Sequence, residues 1–427
     1  MDTRWPVALR SLGYRNYRLF FFGQIASLIG TWMQTIAQSW LIYRLTGSPM
    51  LLGMMGFCSQ IPVFLLAAVG GAMADRYNRH RIIVATQVLS MLLAFALAAL
   101  TLSGLVHEWH VFALAAALGV VNAFDMPARQ AFVPDLVGRA DLINAIALNS
   151  SLFNGARIVG PAIAGVLVAA VGEGWCFFLN GLSYVPVLIS LSRIRLGMVA
   201  RIGPAGSALA NIREGFGYVG ATLPIRDLLL LLGSVSLLGT SYNVLMPVFA
   251  DRILGGGAHS LGLLMGATGV GALVGALCLA SRQGVRGLGR WVVWAGLGFG
   301  ISLLGFALSH WLWLSIALLI PVGFCMMVEI SAANTLIQSM VPDRLRGRVM
   351  SIYSMMLLGM LPFGALLAGW LAEHLGAQIA VAFGGIGAVA GALIFNRRLP
   401  LLRADARILI QAQERERAAA TETINRL

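Results

Sequence analysis

Twelve apolar runs, most of about 20 residues or more, recur along nearly the whole chain and constrain it more than any other feature. A run of that length crosses a hydrocarbon core about 30 Å thick at about 1.5 Å per helical residue. The approximate spans are 15–43, 49–74, 82–104, 110–126, 143–171, 175–195, 226–250, 260–281, 290–308, 312–336, 348–372 and 377–396, numbered helices 1 to 12 in chain order. Charged residues make up 11% of the chain and mean hydropathy is +0.83, whereas soluble domains carry about 25% charged residues. A water-soluble surface cannot be built from this composition, and the chain reads as an all-α integral membrane protein. The first run follows Arg4, Arg10, Arg15 and Arg18. It is longer than a signal-peptide apolar core and lacks a small-residue cleavage site, so it is expected to be retained.

The formal net charge of +13 raises the question of a nucleic-acid partner, and the positions of the charges argue against one. All thirty basic residues are arginine; 27 fall in alternate loops on one side, only Arg44 and Arg252 on the other, and Arg157 lies inside a helix. That asymmetry is the positive-inside signal, which places the arginine-rich side, with both termini, in the cytoplasm. Cys58, Cys176, Cys278 and Cys325 fall inside or at the edge of helices and read as small packing residues. No pair has metal-ligand spacing, and no metal or cofactor is expected.

The chain repeats itself. Ser27-Leu28-Ile29-Gly30-Thr31 in helix 1 returns as Ser236-Leu237-Leu238-Gly239-Thr240 in helix 7, at an offset of 209. Gln130 ahead of Val133-Pro134-Asp135 returns as Gln338 ahead of Val341-Pro342-Asp343, at an offset of 208. Six crossings separate equivalent points, so the expected halves are parallel six-helix bundles related by an axis along the membrane normal. The expected organisation is an N-terminal bundle over 1–195, a cytoplasmic linker over 196–225, a C-terminal bundle over 226–396 and a solvated helical tail over 397–427. The linker carries Gly203-Pro204 and an amphipathic stretch from Leu209 to Val219. Glycine is abundant, 50 residues in all, and in lipid it permits close helix approach. The spacings Gly262/Gly266 and Gly271/Gly275 suit contact within a bundle or between halves, and a monomer is expected.

Between helices 2 and 3 the chain reads Gly71-Ala72-Met73-Ala74-Asp75-Arg76-Tyr77-Asn78-Arg79-His80-Arg81. This resembles the signature loop of the major facilitator superfamily, with departures at Met73, Asn78 and His80. Asn78 stands where the family has glycine, and asparagine best tolerates the positive φ a glycine there allows. The resemblance implies a cytoplasmic latch in which Asp75 meets the start of helix 11 near Arg348, where the helix macrodipole favours a carboxylate. Enforcing topology would account for Arg76, Arg79 and Arg81 but not for Asp75. Ala156 followed by Gly160-Pro161-Ala162-Ile163-Ala164-Gly165 resembles the helix 5 motif of proton-driven exporters of that superfamily, a pliable, flat face at the junction of the halves. Asp125-Met126-Pro127-Ala128-Arg129-Gln130, Asn149-Ser150 and Tyr14-Arg15-Asn16-Tyr17-Arg18-Leu19-Phe20 resemble the enterobactin-exporter branch. Ser281, Arg282 and Gln283 stand where a second signature loop would be, so the second latch is expected to be degenerate. The resemblance implies a bacterial cytoplasmic membrane location and transport of a small amphipathic molecule against protons.

Transport candidates come from polar residues in apolar surroundings. In helix 1, Gln24, Ser27, Thr31, Gln34 and Gln38 recur at steps of three and four and share one face. Helix 7 supplies Thr240, Tyr242 and Asn243. These outline a substrate cavity, or alternatively bond between helices without touching substrate. Intramembrane ionisable groups are functional candidates by default: Glu329 in helix 10, Arg157 in helix 5 and Asp125 at the end of helix 4. A carboxyl shielded from water can load and release a proton near neutral pH, which makes Glu329 the leading proton carrier, unless it pairs with Arg157. Asp125 is expected to cap a short turn after Pro127 broke the helix, and to pair with Arg129 in a cytoplasmic gate.

Other classes fit less well. An ATP-driven pump needs a phosphate-loop lysine, and the chain has none. An intramembrane enzyme needs a Ser/His or His/Glu constellation, and the six histidines lie outside the spans or at their ends. A lysophospholipid flippase or an importer on the same fold, a multidrug exporter, and a receptor without transport all remain open. A siderophore is the first choice of substrate, on resemblance alone.

Overall fold

The computed structural model describes residues 6–138, 141–194, 208–240, 242–282 and 284–426; Arg4, Gly203, Pro204 and Gln283 lie outside them. Among the described residues, twelve helices are long and apolar enough to cross a membrane. They are Arg15–Thr46, Pro49–Arg76, Arg79–Leu102, Glu108–Leu136, Leu142–Val171, Glu173–Arg193, Leu223–Ile253, Gly257–Ala280, Leu288–Ala307, Leu312–Met340, Asp343–Leu375 and Ala377–Gln413. A short 3-10 helix, Val7–Gly13, precedes helix 1, and a linker helix, Ala208–Ala221, precedes helix 7. Local chemistry sets the tight turns. Helix 1 ends at Gly47, whose φ of 64° is a left-handed conformation that favours glycine. Helix 2 then starts at once, because Ser48 caps it by accepting from Leu51 N and Pro49 needs no donor at the first helical position.

The two halves pack alike. In the N-terminal bundle helix 6 lies against helices 1 and 3, and helix 2 against helix 4; in the C-terminal bundle helix 12 lies against helices 7 and 9, and helix 8 against helix 10. Small residues make each contact backbone to backbone: Gly70 lies on Ala123 between helices 2 and 4, and Gly271 on Ile320 between helices 8 and 10. A larger side chain at either position would force the helices apart.

The halves meet through two pairs, helix 5 on helix 8 and helix 2 on helix 11. Gly165 faces Gly262, Gly262 faces the Pro161 carbonyl, and Gly269 faces Arg157 and Ile158. Gly53 faces Gly369, and Phe64 packs on Phe363 with ring centroids 6.2 Å apart. These contacts occupy the arginine-poor portions of the helices. Toward the arginine-rich end they stop: a Cβ added at Gly155 or Gly71 would meet nothing within 4 Å. The halves therefore touch at the arginine-poor end and part toward the other.

Several expectations are corrected. Helix 4 does not break at Pro127 but runs through Pro127 and Pro134 to Leu136, so Asp125 lies within the helix and caps nothing. Its carboxylate pairs with Arg129 one turn on. The equivalent Pro342 does end a helix: Val341 is extended at φ −87°, as a residue before proline prefers, and helix 11 starts at Asp343. Asn78 has φ −70° and caps helix 3 by accepting from Arg81 N, so the turn needs no left-handed residue. Helix 12 continues without interruption to Arg426, and its extension is not simply solvated: Leu399, Leu402 and Gln413 are buried and Arg398 pairs with Asp227 at 3.0 Å.

Candidate functional site

Helix 7, which the hydropathy pattern gives as one run, is interrupted mid-membrane. A helical segment Leu223–Ser234 passes into a π-turn over Val235–Gly239, regular helix resumes at Tyr242–Val248, and a second π-turn covers Phe249–Ile253. π-turns inside helices gather at functional sites because they re-aim side chains and free backbone groups. Just after the first, the Tyr242 hydroxyl and Asn243 Oδ1 are buried without a hydrogen-bond partner among the described residues. Thr240 is half-buried and donates back to the Ser236 carbonyl. Helix 11 is also interrupted, between Leu358 and Leu361.

Arg157 lies where helix 5 meets Gly269 of helix 8. Its guanidinium lies over the Trp32 ring of helix 1, 5.6 Å from the centroid. No carboxylate pairs with it among the described residues, Glu329 included. Trp32 also meets Phe153 edge to face at 5.6 Å.

The polar face of helix 1 turns mostly into its own bundle. Gln34 Oε1 accepts from Asn180 of helix 6 at 2.7 Å, Gln38 reaches the Val111 carbonyl of helix 4 at 3.4 Å, and Gln24 Oε1 accepts from Arg129 at 2.5 Å. Ser27 is buried, while Thr31 donates to the Ser27 carbonyl and sits 3.5 Å from the Tyr184 hydroxyl. These residues thus fit the interhelical alternative, at about 0.6 kcal/mol for an average bond of this kind. The helix 7 residues, by contrast, keep unspent polar atoms.

Asp125 is the centre of a closed network. One oxygen accepts from Thr86 at 2.7 Å and Gln87 at 3.0 Å, and the other pairs with Arg129. Glu329 is the opposite case. It is 1% exposed inside the C-terminal bundle, facing Gly296 of helix 9, and neither oxygen has a hydrogen-bond partner among the described residues.

At the arginine-rich end, Arg79 ties the signature loop to helix 4. It donates to Asp135 at 3.1 Å and to the Ala131 carbonyl at 2.9 Å. Asp75 and Arg76 are exposed, and among the described residues Asp75 pairs with Arg79, at 3.9 Å, rather than with helix 11. Arg348 instead pairs with Glu214 of the linker helix. Arg81 is exposed on the first turn of helix 3.

The arginine-poor end holds a clasp that sequence reasoning missed. Glu373 of helix 11 accepts from Ser48 Oγ at 2.9 Å and Met50 N at 3.1 Å at the start of helix 2. Tyr43 donates to Asp251 at 3.2 Å, and Arg252 donates to the Gly47 carbonyl. The signal was available: Arg44 and Arg252 are the exceptions to the charge asymmetry. Arg252 joins the halves, and Arg44 pairs with Glu173 at 2.7 Å within the first.

Two parallel six-helix bundles, joined at one end and parted at the other around a broken helix, define a secondary transporter of the major facilitator type. The chain belongs to the transmembrane secretion effector family, whose model it matches over residues 8–423. It is similar to the staphyloferrin A transporter of Staphylococcus aureus, 26% identical over 90% of this chain and 97% of that one. It also resembles the multidrug efflux pump Tap of Mycolicibacterium fortuitum, 28% identical over 84% and 89% of the two chains. The enterobactin exporter EntS of Shigella boydii is 25% identical over 79% of this chain and 80% of that one. The fold matches a solved bacterial homologue of the lysosomal transporter Spinster, with a TM-score of 0.65 at 17% identity over 93% and 98% of the chains.

Proposed function

We propose that this protein exports a small amphipathic molecule from the cytoplasm by proton antiport, through alternating access of its two halves. The observation that carries the reading is the graded contact between them. Backbone-close glycine faces seal the arginine-poor end, and the same helices separate toward the arginine-rich end, where Asp75 and Arg348 hold other partners. By the positive-inside rule the sealed end faces the periplasm and both termini face the cytoplasm. The conformation is then inward-facing, ready to take substrate from the cytoplasm. In the alternate state Asp75 would close on helix 11, which it does not touch here.

Glu329 carries the proton in this reading. Its oxygens are committed to no other group, so it can take up and give up a proton without dismantling a salt bridge. Asp125 cannot: its charge is held by Arg129, Thr86 and Gln87, which suits a rigid element of the cytoplasmic gate. Pro161 and Gly165 belong to the face on which the halves rock, while Gly160 lies against Trp32 and Ile29 of helix 1 within the first half. The relatives named for a siderophore and for multidrug efflux support a siderophore as first substrate class and other amphipathic compounds as second.

The test is collapse of a preset pH gradient, acid inside, in inside-out vesicles challenged with siderophores, drugs and lysolipids. At least one compound should collapse the gradient in vesicles holding the wild type and not in those holding Glu329→Gln. If no compound does so, antiport is refuted; if lysolipid merely changes leaflet without proton movement, the protein is a flippase.

A further inference from the structure

The exporter reading leaves the charge of the substrate open, and the apex of the opening addresses it. Arg157 sits there, halfway along helix 5, at the junction of helices 1, 5 and 8. A guanidinium at mid-membrane is costly unless an anion or a wet cavity meets it. The other buried intramembrane charge network is internally neutral, since Arg129 has Asp125. Arg157 has only the face of Trp32, and a cation over an aromatic ring retains its five N–H donors for a further partner.

Tyr242, by contrast, is fully buried in the other half, its ring 6.3 Å from that of Phe299. Interrupted helices at the midplane between repeats are where transporters of this kind hold substrate. Trp32 and Phe153, the latter 47% exposed, add an apolar shelf beside the charge. A planar fork and an aromatic shelf together match a carboxylate on an apolar or aromatic body.

We infer that Arg157 is the substrate anchor of the transport cycle, and that the exported molecules are carboxylate-bearing amphiphiles. The inference rests on the exporter reading and narrows it. The carboxylate engages the guanidinium bidentately, while its apolar body lies along Trp32 and Phe153.

The experiment uses the full chain in lipid nanodiscs and three dansyl probes on one eight-carbon chain, ending in a carboxylate, a primary amide or a trimethylammonium group. Binding is read by energy transfer from tryptophan to dansyl. The wild type should bind the carboxylate at least about tenfold more tightly than the amide, as a charge-assisted pair requires, and the trimethylammonium probe least. Arg157→Gln should bring the carboxylate-to-amide ratio to about one. Arg157→Lys, with charge but no fork, should keep part of the preference and remains informative if the Gln variant fails to elute as a single species. Equal binding of the three probes by the wild type, or a carboxylate preference undiminished in Arg157→Gln, overturns the proposal. A parallel uptake assay in inside-out vesicles separates it from the exporter reading. Selective binding with no gradient-driven uptake retains the anion site and sinks export. Gradient-driven uptake of all three probes, unchanged in Arg157→Gln, retains export and sinks the anion site.

Discussion

Replacing Gly262 by alanine should turn the protein outward. A Cβ at Gly262 would lie 2.7 Å from the Pro161 carbonyl oxygen and 2.8 Å from Gly165 Cα, across the seam between helices 8 and 5. Ordinary contact begins at 3.4 Å, so the seam is short by 0.7 Å (3.4 minus 2.7). Both opposing atoms are backbone and cannot rotate aside, so the helices must separate. Overpacking of this kind costs about 1–3 kcal/mol. Alanine's helix-propensity advantage over glycine, about 1 kcal/mol, applies in both conformations and does not offset the shift. The inward-to-outward ratio should therefore fall about 5- to 150-fold. Spin labels at Leu45 and Leu375 report the arginine-poor end, and labels at Arg81 and Gly347 the other. In Gly262→Ala the first pair should populate a longer distance and the second a shorter one. Gly266→Ala, on the same helix with nothing within 4 Å of its Cβ, is the control and should leave both distributions unchanged. Wild-type distributions in Gly262→Ala would refute the seam as the element that holds this state.

Glu373→Gln removes the charge that accepts from Ser48 and Met50; because the clasp is exposed, the same label pairs should move in the same direction by less than about tenfold. Arg79→Ala should lower the thermal midpoint, since the loss of its bonds to Asp135 and the Ala131 carbonyl costs about 1–3 kcal/mol. Asp75→Asn should leave that midpoint unchanged and slow transport, and a normal rate would count against the latch. Glu329→Gln should abolish proton coupling while substrate still binds, measured by substrate-induced pH change beside direct titration. Asp125→Asn should lower both stability and transport by leaving the half-buried Arg129 without its counter-charge, and wild-type values for both would exclude a gate role.

The helices and the fold were legible because lipid imposes one requirement, about 20 apolar residues per crossing, that shows directly in sequence. Ends and breaks were less so. Pro127 and Pro134 sit inside helix 4 while Pro342 ends helix 10, although Pro134 and Pro342 occupy equivalent positions in the repeat. The surroundings decide between them. The two π-turns of helix 7 leave no trace in hydropathy, since they shift hydrogen-bond partners and not composition. The polar face of helix 1 was visible, but which way it turned was not: Gln34 finds Asn180 and Gln24 finds Arg129, partners 146 and 105 residues away. The clasp of Ser48 and Glu373 spans 325 residues and lay beyond any local pattern. Arg157, in contrast, stood out in the sequence as a lone cation in an apolar run, and the structure adds what it lacks, a carboxylate.

Gradient-driven accumulation tests the proposed export most directly. Proteoliposomes are prepared with the arginine-rich face outward, so that external substrate meets the cytoplasmic side, and are loaded acid inside. Substrate should accumulate above its external concentration, stop accumulating when the gradient is dissipated, and leave the vesicles when the gradient is reversed. Uptake that merely equilibrates, with the same extent at every gradient, would contradict proton-driven export by this protein.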